Sequence, residues 1–274
     1  MTAMAILTDT TLCTGCEACV VACKQFNALG PDTPGRWTRA IDDLSATRFT
    51  TVIRRKGQSV REQCRHCIDP ACVSACLVGA MQKTPAGPVI YDRDRCMGCR
   101  YCMVACPFEI PRYDWAAPVP YVRKCNMCNA RLAEGKRPAC VEACPQKATI
   151  FGERQSLLTE AHRRIRENPG RYFDRVFGES DVGGTSVLMI SAIDLDFLIP
   201  GGGTTSQALP ELTWKTLSTT PALALGVGGL MAGVFWITER RMRRQGESAT
   251  GGVDAGAAPG GSAPGPAHER GRER

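Results

Sequence analysis

Residues 96–107 read Cys-Met-Gly-Cys-Arg-Tyr-Cys-Met-Val-Ala-Cys-Pro, which spaces four cysteines as C-x2-C-x2-C-x3-C and ends the run with a proline. Three thiols on so short a loop can hold three corners of one [4Fe–4S] cube. The fourth thiol lies about one helical turn further on and faces away, so it reaches a neighbouring cube instead. Soft thiolate sulfur is also the ligand type that iron–sulfur clusters use. The stretch therefore predicts the binding of iron–sulfur clusters.

The remaining cysteines form three further groups of four, so the 16 cysteines leave no thiol over. The first group repeats the spacing above, the second is C-x2-C-x4-C-x3-C and the fourth is C-x2-C-x11-C-x3-C. In chain order the candidate iron ligands are Cys13, Cys16, Cys19 and Cys23; Cys64, Cys67, Cys72 and Cys76; Cys96, Cys99, Cys102 and Cys106; and Cys125, Cys128, Cys140 and Cys144.

Two other uses of thiols fit these spacings less well. Disulfide-rich secreted proteins do not normally gather their cysteines into C-x-x-C groups. Zinc sites favour two C-x-x-C knuckles for each ion, or cysteine mixed with histidine, and this chain has only three His. A zinc-binding interaction protein remains the alternative from another class of function.

The groups repeat each other beyond their cysteines. Val21-Ala22-Cys23 matches Val104-Ala105-Cys106, and Pro70-Ala71-Cys72 matches Pro138-Ala139-Cys140. Groups one and three are thus one type, and groups two and four another. This predicts an α+β fold of two ferredoxin-like dicluster units. We expect short strands before the first cysteine and a short helix carrying the fourth.

The residues leave open which groups exchange their fourth cysteine. Pairing group one with two and three with four follows the duplication. Nested pairing, two with three and one with four, is favoured by chain distance, because 40 residues separate Cys23 from Cys64 and only 19 separate Cys76 from Cys96. In the nested case residues 24–63 are an insertion that covers one flank.

The composition changes after Gly152. Helical spacing predicts a helix over 156–167, and the apolar run 187–193 predicts a strand. We expect the following organisation: two interleaved dicluster domains over 1–150 with an inner unit at about 60–112, a connecting region over 151–212, a membrane anchor over 213–240, and a disordered tail over 246–274.

The anchor is predicted from 18 uncharged residues, 221–238, which can be extended upstream without adding charge. Arg240, Arg241, Arg243 and Arg244 follow it, whereas Lys215 alone precedes it. Basic residues mark the cytoplasmic end of a span, so we expect a single-pass inner-membrane protein with its C-terminus inside and its clusters on the periplasmic side. The twelve residues before Cys13 show no signal peptide or twin-arginine pattern, so we expect export together with a partner.

The remaining features exclude other functions. The formal net charge is +7, but the basic residues are spread along the chain without interleaved aromatics, which argues against nucleic-acid binding. The chain shows no motif of its own for a catalytic nucleophile, for a general acid–base pair or for nucleotide binding. We therefore expect a non-catalytic subunit of an oxidoreductase complex.

With these motifs in view, the chain resembles the four-cluster iron–sulfur electron-transfer subunits of membrane-bound respiratory oxidoreductases. The likeness is closest to Hyb-type nickel–iron hydrogenases and to the beta subunit of respiratory formate dehydrogenases, over residues 5–240. It rests on Cys64-Arg-His-Cys-Ile-Asp-Pro-Ala-Cys72, on the stretch 96–108, on Pro138-Ala-Cys140 to Phe151-Gly152, and on Gly183-Gly-Thr-Ser-Val-Leu188.

The resemblance implies nested ligation of four [4Fe–4S] clusters. It also implies electron flow from a catalytic subunit that oxidises formate or hydrogen to an integral membrane partner of the quinone-reactive, cytochrome b or NrfD-like type. An alternative is the electron-transfer subunit of a terminal molybdopterin reductase of the dimethyl sulfoxide reductase type. The implied ligand sets are Cys13, Cys16, Cys19 and Cys144; Cys23, Cys125, Cys128 and Cys140; Cys64, Cys67, Cys72 and Cys106; and Cys76, Cys96, Cys99 and Cys102.

Overall fold

The computed structural model describes residues 3–32, 43–115, 117, 121–200 and 205–250. They form a mixed α/β architecture in which most elements are short. In chain order these are β1 (Met4–Asp9), α1 (Ala18–Phe26), β2 (Thr50–Arg55), β3 (Gln58–Gln63), α2 (Ala71–Ser74), β4 (Met81–Lys83), β5 (Val89–Tyr91), α3 (Tyr101–Val104), β6 (Arg112–Tyr113), β7 (Val122–Arg123), α4 (Asn129–Ala133), α5 (Ala139–Glu142), β8 (Thr149–Glu153), α6 (Arg154–Glu167), β9 (Val187–Ile190) and α7 (Leu209–Thr250).

A three-stranded sheet in the order β8-β1-β9 ties the start of the cysteine-rich region to its end. β1 pairs antiparallel with β8 and parallel with β9. One side of the sheet is covered by α6, whose Leu157, Leu158 and Ala161 pack with Leu7 and Leu188. Burial of each leucine contributes about 1.5–3 kcal/mol. The sheet therefore holds together the segments that precede Cys13 and follow Cys144.

The inner elements are nested within this outer frame. Helix α1 packs against α5, and α2 packs against α3. The hairpin β4–β5 lies between the second and third cysteine groups, and its turn is joined to the outer sheet because Met4 N–H donates to the Ala86 carbonyl at 2.9 Å. Groups one and four are thus neighbours, as are groups two and three.

The hairpin β2–β3, which belongs to the predicted insertion 24–63, lies over the first cysteine loop and so covers one flank of the cysteine-rich region. A Cβ atom built on Gly15 would lie 2.7 Å from the Ser59 hydroxyl, so the hairpin and loop are in close contact. Residues 33–42 of the insertion lie outside the described residues.

The predicted secondary elements need four corrections. The short helices α2, α3 and α5 carry the third cysteine of their groups and end before the fourth, and only α1 also includes the fourth. The predicted helix 156–167 starts two residues earlier, and the predicted strand 187–193 ends at Ile190. Helix α7 continues to Thr250, so the first five residues of the predicted tail are helical, and 251–274 lie outside the described residues.

The chain divides into two compact units, residues 1–215 and 216–274. Within α7, the stretch Leu209–Gln245 is long and apolar enough to cross a membrane, and the side chains of its most apolar window are unburied. Leu223, Leu225 and Leu230 are among its exposed residues. Such a surface is unfavourable in water and favourable in lipid.

Candidate iron–sulfur centres

All four cysteine groups use the same backbone device at their C-x-x-C turn. The residue directly before the second cysteine is left-handed in each: Gly15, His66, Gly98 and Met127, with φ of 74°, 49°, 75° and 54°. This conformation curls the loop so that backbone N–H groups point inward. The N–H of Gly98 donates to Cys96 Sγ at 3.4 Å, and the N–H of Met127 donates to Cys125 Sγ at 3.3 Å. Such bonds stabilise sulfur that carries negative charge.

The first set of thiols combines three from group one with the last from group four. Cys13, Cys16, Cys19 and Cys144 line one cavity, which is partly open to solvent. Burial raises the pKa of the Cys19 thiol, Arg61 lowers it, and Cys140, Cys13 and Cys144 raise it further. The structure therefore brings these four thiols together.

The second set combines three thiols of group four with the last of group one. Burial, followed by Cys140 and Cys128, raises the pKa of Cys23 to about 12. Burial also raises the pKa of Cys125 well above its usual range. Among the thiols that add to this rise, Cys23 contributes most. Helix α1 thus places Cys23, the fourth cysteine of group one, near the thiols of group four and away from the loop of group one.

The third and fourth sets show the same exchange within the inner unit. Burial raises the pKa of Cys67, and Cys64, Cys106 and Cys72 add to the rise. Burial raises the pKa of Cys102 to about 11, with further contributions in the same direction from Cys76, Cys96 and Cys99.

The four sets form a row. Thiols of a neighbouring set also raise the pKa of some cysteines: Cys140 raises that of Cys19, Cys64 raises that of Cys125, and Cys102 raises that of Cys72. These electrostatic effects indicate that the first set lies near the second, the second near the third, and the third near the fourth. The row has two ends, and Cys16 of the first set is solvent-exposed.

The donor set fits clusters better than single metal ions. In the part of the chain that the structure describes, no three His, Cys, Asp or Glu side chains are close enough to share one metal ion. Zinc draws four sulfurs to about 2.3 Å of one centre, whereas the corners of an iron–sulfur cube keep its ligands apart. Burial raises the pKa of eight of the sixteen thiols, and a bound cation would offset this cost of forming thiolates.

Comparison with known proteins agrees with this geometry. A family of 4Fe-4S dicluster domains matches residues 56–154. The "Hydrogenase-2 operon protein HybA" of Escherichia coli O157:H7 is 36% identical over 235 residues, which are 71% of this chain and 72% of the relative. The chain belongs to the family of iron–sulfur electron-transfer subunits.

Two further relatives lie in the same family of iron–sulfur subunits. The "Formate dehydrogenase-O iron-sulfur subunit" of E. coli K12 is 36% identical over 207 residues, covering 68% of this chain and 66% of the relative. The "Probable anaerobic dimethyl sulfoxide reductase chain YnfG" of E. coli K12 is 41% identical over 151 residues, covering 54% of this chain and 73% of the relative. The family resemblance seen in the cysteine motifs is confirmed.

Sequence reasoning missed two lysines that bind the cysteine loops of this iron–sulfur subunit. Lys83 Nζ donates to the carbonyl oxygens of His66 at 3.2 Å, Cys67 at 2.7 Å and Gly87 at 2.6 Å. Lys124 Nζ donates to the carbonyl oxygens of Val89 and Cys125. Both ammonium groups tie a cysteine loop to the β4–β5 hairpin. Neither lysine belongs to a cysteine motif, so only the fold reveals their role.

His66 is packed rather than solvent-facing. It is 1% exposed, and its Nδ1 accepts a hydrogen bond from the N–H of Val89 at 2.9 Å. Burial first, and then Lys124 and Lys83, hold the pKa of His66 well below its usual value. The ring is therefore neutral, and it locks the Cys64–Cys67 turn onto β5.

Proposed function

We propose that this chain is the electron-transfer subunit of a membrane-bound respiratory oxidoreductase and holds four [4Fe–4S] clusters. The observation that carries the proposal is the grouping of thiols, each set taking three cysteines from one motif and one from another. The proposed ligands are Cys13, Cys16, Cys19 and Cys144; Cys23, Cys125, Cys128 and Cys140; Cys64, Cys67, Cys72 and Cys106; and Cys76, Cys96, Cys99 and Cys102.

When bound, the clusters supply one-electron transfer at potentials that the surrounding protein sets. In this proposal the chain contributes the order of the sites, a single row supported by the electrostatic proximity of Cys19 to Cys140, of Cys125 to Cys64 and of Cys72 to Cys102. It also contributes burial: Cys23, Cys64, Cys72, Cys102, Cys128 and Cys140 are buried, which excludes water from the sulfurs. The two end sets are the proposed points of electron entry and exit.

The proposed donor is a catalytic subunit that oxidises formate or hydrogen. The proposed acceptor is an integral membrane subunit of the quinone-reactive, cytochrome b or NrfD-like type. The names of two relatives, a hydrogenase-2 protein and a formate dehydrogenase subunit, support this direction. The similarity to a dimethyl sulfoxide reductase chain supports the second candidate, in which electrons run to a terminal molybdopterin reductase.

We further propose that α7 anchors the subunit in the inner membrane, with the clusters on the periplasmic side and the C-terminus in the cytoplasm. The support is the apolar stretch within Leu209–Gln245 and the four arginines that follow it.

The cluster assignment is tested by paired cysteine replacements with iron and acid-labile sulfide analysis. The unsubstituted chain is expected to hold about sixteen of each. The double variant Cys76→Ala/Cys99→Ala removes two ligands of one proposed cluster and should lose about four irons. Its matched control, Cys99→Ala/Cys106→Ala, affects two clusters and should lose about twice as many. Equal losses would contradict nested ligation, and a chain that holds zinc without sulfide would support an interaction protein instead.

The partner assignment is tested by anaerobic purification of the tagged chain from membranes in mild detergent. Viologen reduction by formate, with a molybdenum or tungsten subunit present, establishes the chain as the electron-transfer subunit of a formate dehydrogenase. Reduction by hydrogen, with a nickel subunit present, establishes it as that of a hydrogenase. Oxidation of a reduced viologen by an S-oxide supports the terminal-reductase candidate. A chain recovered soluble and alone contradicts the membrane-bound complex.

A further inference from the structure

Arg61 is a buried cation without a counter-charge of its own. It lies on β3, directly opposite Val52 of β2, and its side chain is 3% exposed. None of its three guanidinium nitrogens bonds to an oxygen acceptor in the described part of the chain, and the Cys140 thiol is its hydrogen-bonding neighbour. Burying an unpaired charge costs several kcal/mol, so such a residue needs compensation from an anionic group nearby.

The position of Arg61 indicates which anionic groups compensate it. Arg61 lines the same cavity as the first set of thiols, Cys13, Cys16, Cys19 and Cys144. Burial lowers the pKa of Arg61, but Cys140, Cys19 and Cys125 outweigh this and raise it. Cys140 and Cys125 belong to the second set. The guanidinium therefore faces both sets at the outer end of the row.

Arg61 also reaches the sulfurs from outside the cysteine motifs. The hairpin β2–β3 is inserted between groups one and two, and it covers the Cys13–Cys16 loop through the contact of Ser59 with Gly15. The hairpin thus has a role beyond shielding, because it carries a fixed positive charge into the gap between two sets.

We propose that Arg61 is a shared counter-charge for the first two clusters and raises the reduction potential of both. The inference rests on the proposed function, because it requires clusters at these two sets. Each added electron makes a cluster more negative, so a nearby cation stabilises the reduced form more than the oxidised form. Because Arg61 itself is buried, the effect is weakly screened by salt.

The test is anaerobic redox titration of the intact chain, followed by electron paramagnetic resonance, with iron and sulfide counted in parallel. Arg61→Gln removes the charge, and we expect two clusters to shift to lower potential while the other two stay unchanged. The expected size is at least a tenfold lower ratio of reduced to oxidised cluster at fixed potential, which is 59 mV for one electron. Arg61→Lys keeps the charge and should keep the potentials.

The matched control is Arg55→Gln, which removes the same charge from an exposed position on the same hairpin and should shift nothing. Unchanged potentials in fully loaded Arg61→Gln overturn the inference, and so does a shift in the third or fourth cluster instead. If Arg61→Gln loses iron, Arg61→Lys decides. In that case, full iron with unshifted potentials in Arg61→Lys supports the role of charge. Shifted potentials in Arg61→Lys, or iron loss in both variants, overturn it. Absence of sulfide from the unsubstituted chain would refute the proposed function instead.

Discussion

At the scale of single residues, two hairpin glycines show how backbone geometry serves the cluster-binding loops. Gly57 in the β2–β3 turn has φ of 76°, and a Cβ there would meet nothing within 4 Å. Gly87 in the β4–β5 turn has φ of 118°, and a Cβ there would lie 2.5 Å from the Met4 carbonyl oxygen. Only the second glycine lies at the junction between the inner hairpin and the outer sheet.

We predict that Gly87→Ala destabilises the protein more than Gly57→Ala. Alanine at position 57 costs the left-handed strain of roughly 1–2 kcal/mol. Alanine at position 87 adds a clash with backbone that cannot rotate away, and it weakens the bond from Met4 N–H to Ala86. Thermal bleaching of the cluster absorbance under anaerobic conditions measures the difference. Equal midpoints for both variants would show that the junction tolerates movement.

At the scale of secondary-structure elements, the repeat was readable because cluster-binding loops are local structures. Gly15 and Gly98 occupy equivalent places in their motifs and have φ of 74° and 75°. Glu17 and Arg100, two residues further on, have φ of 58° and 64°. Groups one and three therefore share one turn even where the residue type differs, whereas groups two and four, whose spacings differ, were located by their C-x-x-C pairs.

Two features of the elements could not be derived from the residues. The exchange of fourth cysteines depends on how α1 packs against α5, a contact between segments more than 100 residues apart, so duplication and chain distance gave opposite answers. The role of β3 was hidden because a strand with buried Arg61 gives no apolar pattern. Its arginine is compatible with burial only if anionic groups lie beside it, which no local pattern records.

At the scale of the whole molecule, charge is arranged differently at the two ends of the apolar stretch in α7. The stretch is followed by Arg240, Arg241, Arg243 and Arg244, whereas only Lys215 lies shortly before it. Lysine and arginine near the end of a span favour the cytoplasmic side, and acidic residues such as Glu239 contribute little to this preference.

We predict the outcome for two reporter enzymes fused after residue 274. A reporter that functions only in the cytoplasm should be active, and one that functions only in the periplasm should be inactive. The same two reporters fused after residue 208, ahead of α7, should give the reverse result, because the reporter then follows the iron–sulfur module across the membrane. Both fusions are compared in cells that supply the partner complex, with membrane fractionation as the control for expression. Periplasmic activity of the full-length fusion would place the clusters in the cytoplasm, since one span puts its two flanks on opposite sides.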